Sequence, residues 1–215
     1  RNLSGWTLLA PSVLLFVMLV WRPILVGIGY SFFKLQGFTP VEFTGLKNYA
    51  DVISDTNFTQ TFFNTVKYVF WSLIFGLPLP FIAAVLLNEL VNFQGYFKFT
   101  LYLPAVIPGI AASLIFKKLY MDGSGGLLNM LRAALGLSPM TWLSNKALVI
   151  PLIIISMTWS GFGSAMIVYL AQLQSINQEL YEAARLDGAG FWGRIRHVLF
   201  PHMKGLLLLM AIKQI

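Results

Sequence analysis

Charged residues divide this chain into long apolar stretches. Twenty uncharged residues separate Arg1 from Arg22, 21 separate Lys67 from Glu89, 18 separate Lys98 from Lys117, and 32 separate Lys146 from Glu179. About 20 apolar residues in a helix cover roughly 30 Å of hydrocarbon, so each stretch predicts one membrane crossing. A backbone in lipid must satisfy its own hydrogen bonds, which makes these crossings helices and not strands. The expected spans cover residues 6–31, 62–90, 99–118 and 147–173. A fifth starts at Gly205 with Leu206, Leu207, Leu208, Leu209 and Met210, and the sequence stops at Ile215 before it can cross. The chain also begins at Arg1 without an initiator Met, so it reads as a fragment, truncated at both ends.

Trp6, Trp21, Trp71, Tyr102, Tyr120 and Trp142 fall near proposed span ends, where amphipathic rings sit at the headgroup level. Pro23, Pro78, Pro80, Pro104, Pro108 and Pro151 lie within or beside spans. Neighbouring helices must cover the carbonyls these prolines free, which implies a multi-helix bundle. Between the first two spans, Phe38-Thr39-Pro40, Gly45 to Tyr49 and Asp55 to Phe58 form a polar segment that reads as a structured loop. Asp122 to Gly126 reads as a turn, and Leu127, Leu128, Leu131, Leu135 and Leu137 with Arg132 read as a short helix at the interface.

Composition agrees: 57% of the 215 residues are hydrophobic and 11% are charged, against roughly 25% charged in soluble domains. The first stretch is too long, and lacks the small-residue cleavage pattern, to be a removable signal peptide. A net charge of +7 could suggest nucleic acid, but the basic residues are scattered singly among apolar runs and form no stripe. No Cys is present, which excludes disulfides, Cys-ligated zinc and thiol catalysis, and two His leave little for a metal. Loop charges do not orient the chain. Arg1, Lys98, Arg185, Arg194, Arg196 and Lys204 on one side face Lys34, Lys47, Lys117, Lys118, Arg132 and Lys146 on the other, so the positive-inside rule is silent.

After the fourth span comes a polar segment, about residues 175–204, that reads as a helix, a glycine break and a second helix. Ser175 and Gln178 suit a capping box, and Gly188 suits a left-handed residue ending the first helix. Leu180, Ala183, Ala184 and Asp187 share one face, where two alanines let a partner approach closely. Phe191, Ile195, Val198 and Leu199 recur at helical spacing, and Pro201 is expected to limit continuation. Glu179, Glu182 and Asp187 with Arg185, Arg194, Arg196 and Lys204 make the hairpin mixed in charge, a surface suited to protein docking more than to lipid.

Glu182-Ala183-Ala184, Gly188, Val198, Phe200 and Pro201, at their spacing, resemble the signature loop of permeases in binding-protein-dependent ABC importers. Val198 and Phe200 stand where the family usually has Ile and Leu, and both stay apolar. The segment Phe43 to Tyr49 with Phe58 and Asn64-Thr65 resembles the carbohydrate-uptake class, the maltose/glycerol-phosphate-type permeases. So do Leu103 to Pro108, Gly126 to Asn129, and Trp142-Leu143. The resemblance implies an all-α polytopic membrane protein, a helix bundle like the type I ABC importer permease. It places the N-terminus and the signature loop in the cytoplasm and residues 32–61 outside.

Further implications concern partners and site residues. Glu182, Ala183, Ala184, Asp187, Gly188, Gly190, Val198 and Pro201 would couple the chain to cytoplasmic ATP-binding subunits, beside a second permease subunit and an extracellular solute-binding protein. No Gly-x-x-x-x-Gly-Lys-Ser/Thr phosphate loop occurs here, so ATP and magnesium are expected on the partner ATPase and no cofactor on this chain.

Ser160, Gly161, Gly163 and Ser164 admit two readings: a break in span four that opens backbone to a solute, or small-residue helix packing. Trp159, Ser160, Ser164 and Tyr169 are the substrate-path candidates, with stacking or packing as the ordinary use of such rings. Arg22 is read as snorkelling to the interface, and His197 and His202 as solvated or docking residues. A secondary transporter would place ionisable groups within its spans, and a membrane hydrolase would need a clustered acid, base or metal set. The spans here are almost free of the first, and the second is not visible. The expected function is uptake of a sugar or related polar solute across a bacterial cytoplasmic membrane.

Overall fold

The structure is a computed structural model that describes residues 2–90 and 92–215. The chain divides into two compact units, the first running to Asn64 and the second from Thr65. Among the described residues, four continuous helical stretches are long and apolar enough to cross a membrane, and a bent helix pair makes a fifth candidate.

In the first unit, α1 (Asn2–Phe16) and α2 (Arg22–Tyr30) are joined without a gap by a π-helical turn, Val17–Trp21. The Arg22 N–H reaches back five residues to the Val17 carbonyl, immediately before Pro23. The wider turn makes room for a ring that would collide with the preceding turn of a regular helix. Beyond Tyr30 the chain departs from all-α: β1 (Phe33–Gln36) and β2 (Thr39–Phe43) form an antiparallel hairpin. Phe33 pairs with Phe43 and Lys34 with Glu42, and the register then slips so that Leu35 opposes Pro40, which has no N–H to give the ladder. Asn48, on α3 (Lys47–Ser54), donates to the carbonyls of Ser31 and Phe33 at 2.9 and 3.0 Å. That side chain ties α3 to the start of the hairpin.

The second stretch is α4 (Thr56–Phe75) followed by α5 (Pro78–Glu89). Its start precedes the expected residue 62 because Asp55 caps it, accepting the Asn57 N–H at 2.8 Å. Gly76 and Leu77 separate the two helices, and Pro78, which lacks an N–H, opens α5. The third stretch is not one straight span. α6 (Gln94–Val106) and α7 (Gly109–Leu119) meet at 92°. Pro108 drives the residue before it out of helical geometry, and Ile107 is extended at ψ 127.

The segment from Tyr120 to Leu148 is held by two side chains. Asn129, on α8 (Leu127–Ala134) and 1% exposed, donates to the Gly123 and Met140 carbonyls at 3.0 and 2.8 Å. Its carbonyl accepts the Met140 N–H and the Trp142 indole N–H at 2.9 and 3.0 Å. The Asp122 carboxylate accepts the Ser144 hydroxyl and the backbone N–H groups of Trp142, Leu143 and Ser144. The Ser144 hydroxyl first, then those N–H groups, hold its pKa below the usual carboxylate value.

α9 (Val149–Gln174) runs unbroken through Ser160 to Ser164, so the expected alternative of a midplane break is set aside. Small-residue packing explains the glycine: a Cβ on Gly163 would lie 2.5 Å from the Tyr102 Cα and 2.8 Å from the Leu101 carbonyl oxygen on α6. Met166, Tyr169, Leu170 and Leu173 of α9 form the core with Ala84, Val85 and Leu87 of α5. After α10 (Gln178–Leu186) and the short α11 (Phe191–Arg194), a second π-helical turn, Ile195–Leu199, leads directly into α12 (Phe200–Lys213). The Phe200 N–H bonds to the Ile195 carbonyl, again one residue before a proline. Pro201 therefore does not limit the helix, and the fifth span starts at Phe191 instead of Gly205. Leu199, Met203 and Met210 carry it into the core.

Gly163→Leu should force α6 and α9 apart and lower stability by about 1–3 kcal/mol, the usual effect of overpacking, read as a lower thermal midpoint of the detergent-purified protein. The Asp122 contacts should be acid-sensitive. A carboxyl whose pKa is lower folded than unfolded adds stability at neutral pH that is lost as pH falls through the folded value. Proteolytic nicking between residues 121 and 145 should therefore rise on acidification in the native chain. In Asp122→Asn it should be high throughout and insensitive to pH.

Candidate functional site

The hairpin that follows α9 is built from three local devices. Ser175 does not make the expected capping box, because its hydroxyl donates back to the Gln172 carbonyl at 2.7 Å. Asn177 is the cap of α10 instead: its side-chain carbonyl accepts the Glu179 N–H at 3.1 Å, and its amide donates to the Glu179 carboxylate at 3.1 Å. Glu179 in the first turn and Arg185 in the last both complement the helix dipole.

Gly188 ends α10 at φ +76, as its position in the sequence predicts. The Ala189 N–H bonds to the Ala184 carbonyl at 2.8 Å and the Gly188 N–H to the Arg185 carbonyl at 3.0 Å. This is the paired pattern of a Schellman turn, which needs a left-handed residue at its corner. Gly190 is extended and starts α11, its carbonyl accepting the Arg194 N–H at 3.0 Å.

The two sides of the hairpin differ. Inward, Tyr181, Phe191 and Ile195 pack against the core of α5, α9 and α12, and Val198 and Leu199 are buried. Outward, Glu182, Ala183, Asp187 and Gly188 are exposed, Ala184 is half-buried, and Leu186 and Trp192 are 89% and 77% exposed. Of the family-type positions, Val198 thus serves the core, while Pro201 lies exposed on the helix leaving the hairpin. His202 holds the Val198 carbonyl through Nδ1 at 2.7 Å, which makes Nδ1 the protonated nitrogen.

Two residues that sequence reasoning passed over complete the site. Asn88 and Glu89 end α5, and each reaches a different arm of the hairpin. The Asn88 amide donates to the Tyr181 hydroxyl at 3.3 Å, and Arg194 Nη2 donates to Glu89 Oε2 at 2.7 Å in an ion pair. Burial, then the Glu89 charge, raises the Tyr181 pKa, opposed by the Asn88 hydrogen bond and Arg194. A cleft of about 350 Å³ opens beside this cluster, lined by Gln174, Gln178, Glu182 and Arg185 as well as Asn88 and Glu89. The charge at the end of the second stretch was legible, but its partner is 105 residues away.

The substrate-path candidates are not brought together. Trp159 packs edge to face on Phe116 at 5.2 Å, and Tyr169 is fully buried, edge to face with Phe81 at 5.6 Å. Ser160 bonds the Ser156 carbonyl one turn back at 3.2 Å. Ser164 fronts a cleft of about 260 Å³ shared with Ser72, Thr158, Gly161, Lys213 and Gln214. Among the described residues no cluster of His, Cys, Asp or Glu could hold a metal.

Comparison with known proteins adds sequence likeness to this geometry. Residues 68–214 match the family described as "Binding-protein-dependent transport system inner membrane component". An arabinooligosaccharides transport system permease protein of Bacillus subtilis (strain 168) is 35% identical over 95% of this chain and 65% of its own length. A lactose transport system permease protein of Rhizobium radiobacter is 31% identical over 98% of this chain and 71% of its own length. The chain therefore spans about two thirds of the relatives it matches. A bacterial ABC transporter involved in the import of the acidic polysaccharide alginate has a crystal structure that superposes on all of this chain, covering 72% of its own, with a TM-score of 0.82 at 25% identity. A family match over residues 68–214, relatives more than 30% identical and a shared fold agree: the chain belongs to the binding-protein-dependent transport system inner membrane components.

Proposed function

We propose that this chain is the membrane-spanning permease subunit of an ATP-driven importer for a sugar or related polar solute, with ATP hydrolysis on separate cytoplasmic subunits. The observation that carries the reading is the division of the hairpin: an inner side, Tyr181, Phe191 and Ile195, packed against the core of the bundle, and an outer side, Glu182, Ala183, Leu186 and Asp187, left open beside the Gly188 turn. Such a hairpin can seat in a groove of an ATPase and pass its displacement to the helices behind it. Nucleotide can bias the bundle only through differential binding to its inward-open and outward-open states, and α10 is where that difference enters. A second permease subunit and an extracellular solute-binding protein complete the assembly, and ATP and magnesium belong to the ATPase.

The substrate class rests on the relatives. Those named for arabinooligosaccharides and lactose and one named for trehalose and maltose, from Thermococcus litoralis, agree on carbohydrate.

Orientation is testable because the chain has no Cys. Val41→Cys in the β-hairpin should react with an impermeant thiol reagent in whole cells, and Leu186→Cys only after permeabilisation; the reverse pattern would invert the topology and sink the assignment. Gly188→Val tests the mechanism. A Cβ at Gly188 meets nothing within 4 Å, so inside this chain the main cost of the substitution is backbone strain, about 1–2 kcal/mol. The assembled transporter should keep normal amounts of the chain in the membrane yet lose ATP-dependent uptake. Wild-type uptake with normal ATP coupling in that variant would mean that the hairpin does not transmit the stroke.

A further inference from the structure

The apolar contacts between the hairpin and the bundle, Phe191 and Ile195 against the core, are non-directional and can slide. One contact cannot. Arg194 Nη2 meets Glu89 Oε2 at 2.7 Å, with the two side chains 15% and 20% exposed, and Arg194 Nη1 lies 3.4 Å from the Ala189 carbonyl. One guanidinium therefore holds the exit of the Gly188 turn and the last residue of α5 together. Asn88, next to Glu89, holds the other arm through Tyr181 at 3.3 Å.

The position of Glu89 is costly in itself. A carboxylate at a helix C-terminus opposes the helix dipole, and a largely buried charge is strongly unfavourable without its partner. Helix stability would favour a cation there. The acid is accounted for by what it grips: a single Nη2–Oε2 contact at 2.7 Å, made by a guanidinium whose Nη1 is turned to the Ala189 carbonyl.

We propose that Glu89 and Arg194 are positioning residues that form the joint by which the signature hairpin moves the inner end of the second span. The inference rests on the importer reading above and adds the element on which the hairpin pulls. Displacement of α10 and α11 carries α5 with it while the pair holds. Without the pair, only the 3.3 Å Asn88–Tyr181 hydrogen bond and the apolar contacts link the hairpin to the end of α5, so the α5 end lags behind the hairpin and more ATP is consumed per solute moved.

The test uses the complete transporter, with its binding protein and ATPase, reconstituted in liposomes, and reads ATP hydrolysed per solute imported. Glu89→Gln and Arg194→Gln should each raise that ratio about fivefold or more, the lower end of typical coupling between sites, and the exchange Glu89→Arg with Arg194→Glu should bring it back toward the native value. A purely structural pair would lower the yield or thermal midpoint of the complex and leave the ratio of the surviving transporter unchanged, which would overturn the joint. An exchanged pair that stays uncoupled would also overturn it, since the loss would then not belong to the ion pair. The outcomes separate the two readings. A normal ratio in Glu89→Gln beside an uncoupled Gly188→Val removes the joint alone, whereas native uptake that persists with ATP depleted removes the importer reading and the joint with it.

Discussion

Every backbone N–H and C=O that crosses hydrocarbon has to find its partner within the protein, because lipid offers none. This constraint organises the chain. It makes the long uncharged stretches helical, and it governs how prolines are admitted. Pro23 and Pro201 each follow a π-helical turn whose last N–H reaches back five residues, from Arg22 to Val17 and from Phe200 to Ile195. The same local solution appears twice, in different units. Pro11 and Pro104 sit inside regular helices, whereas at Pro108 the chain bends by 92°.

Packing within the second unit follows from the same need for close, complete contact. Gly163 lets α9 lie against the backbone of α6, and Tyr169, Met166 and Leu173 close the space toward α5 and α12. The core so formed is continuous with the inner side of the signature hairpin. The hairpin is thus not a loose connection between two spans. Its backbone is fixed by the Asn177 cap and the Gly188 turn, and its orientation by Glu89 and Asn88, while its outer side remains free.

The first, second and fourth spans were legible from their long uncharged stretches, although Arg22 and Lys67 fall within helices and not at their ends, and the hairpin was legible because glycine, alanine and acid occur at a spacing that dictates a short helix and a left-handed corner. Other features were hidden for identifiable reasons. Asp55 moves the start of the second span to Thr56, a capping effect that hydropathy does not register. Asn177 outcompetes Ser175 as the cap because the Ser175 hydroxyl turns back to Gln172. Pro201 looked like a stop because proline disfavours a helix interior, and the π-helical turn before it leaves no mark on the polar pattern. The Glu89–Arg194 pair joins residues too distant in sequence for any local rule. Trp159, Tyr169 and Ser164 share one helix, but only burial separates the two packed rings from the serine that fronts a cleft.

The π-helical turn at Ile195–Leu199 also resets the helix's angular frame. A regular helix advances by about 100° per residue, so one extra residue in a turn puts the faces before and after it out of step. A wheel drawn from Phe191 through Ile195 and Val198 would place His202 inward, yet His202 is exposed and Met203 is fully buried. The hairpin and the membrane helix are one rod with two independent phases. A single-residue deletion between Ile195 and Leu199 would let the turn close into a regular helix with Met203 and Met210 still on the core side, whereas forcing the full-length turn into regular geometry would rotate that side out of the core by about 100°.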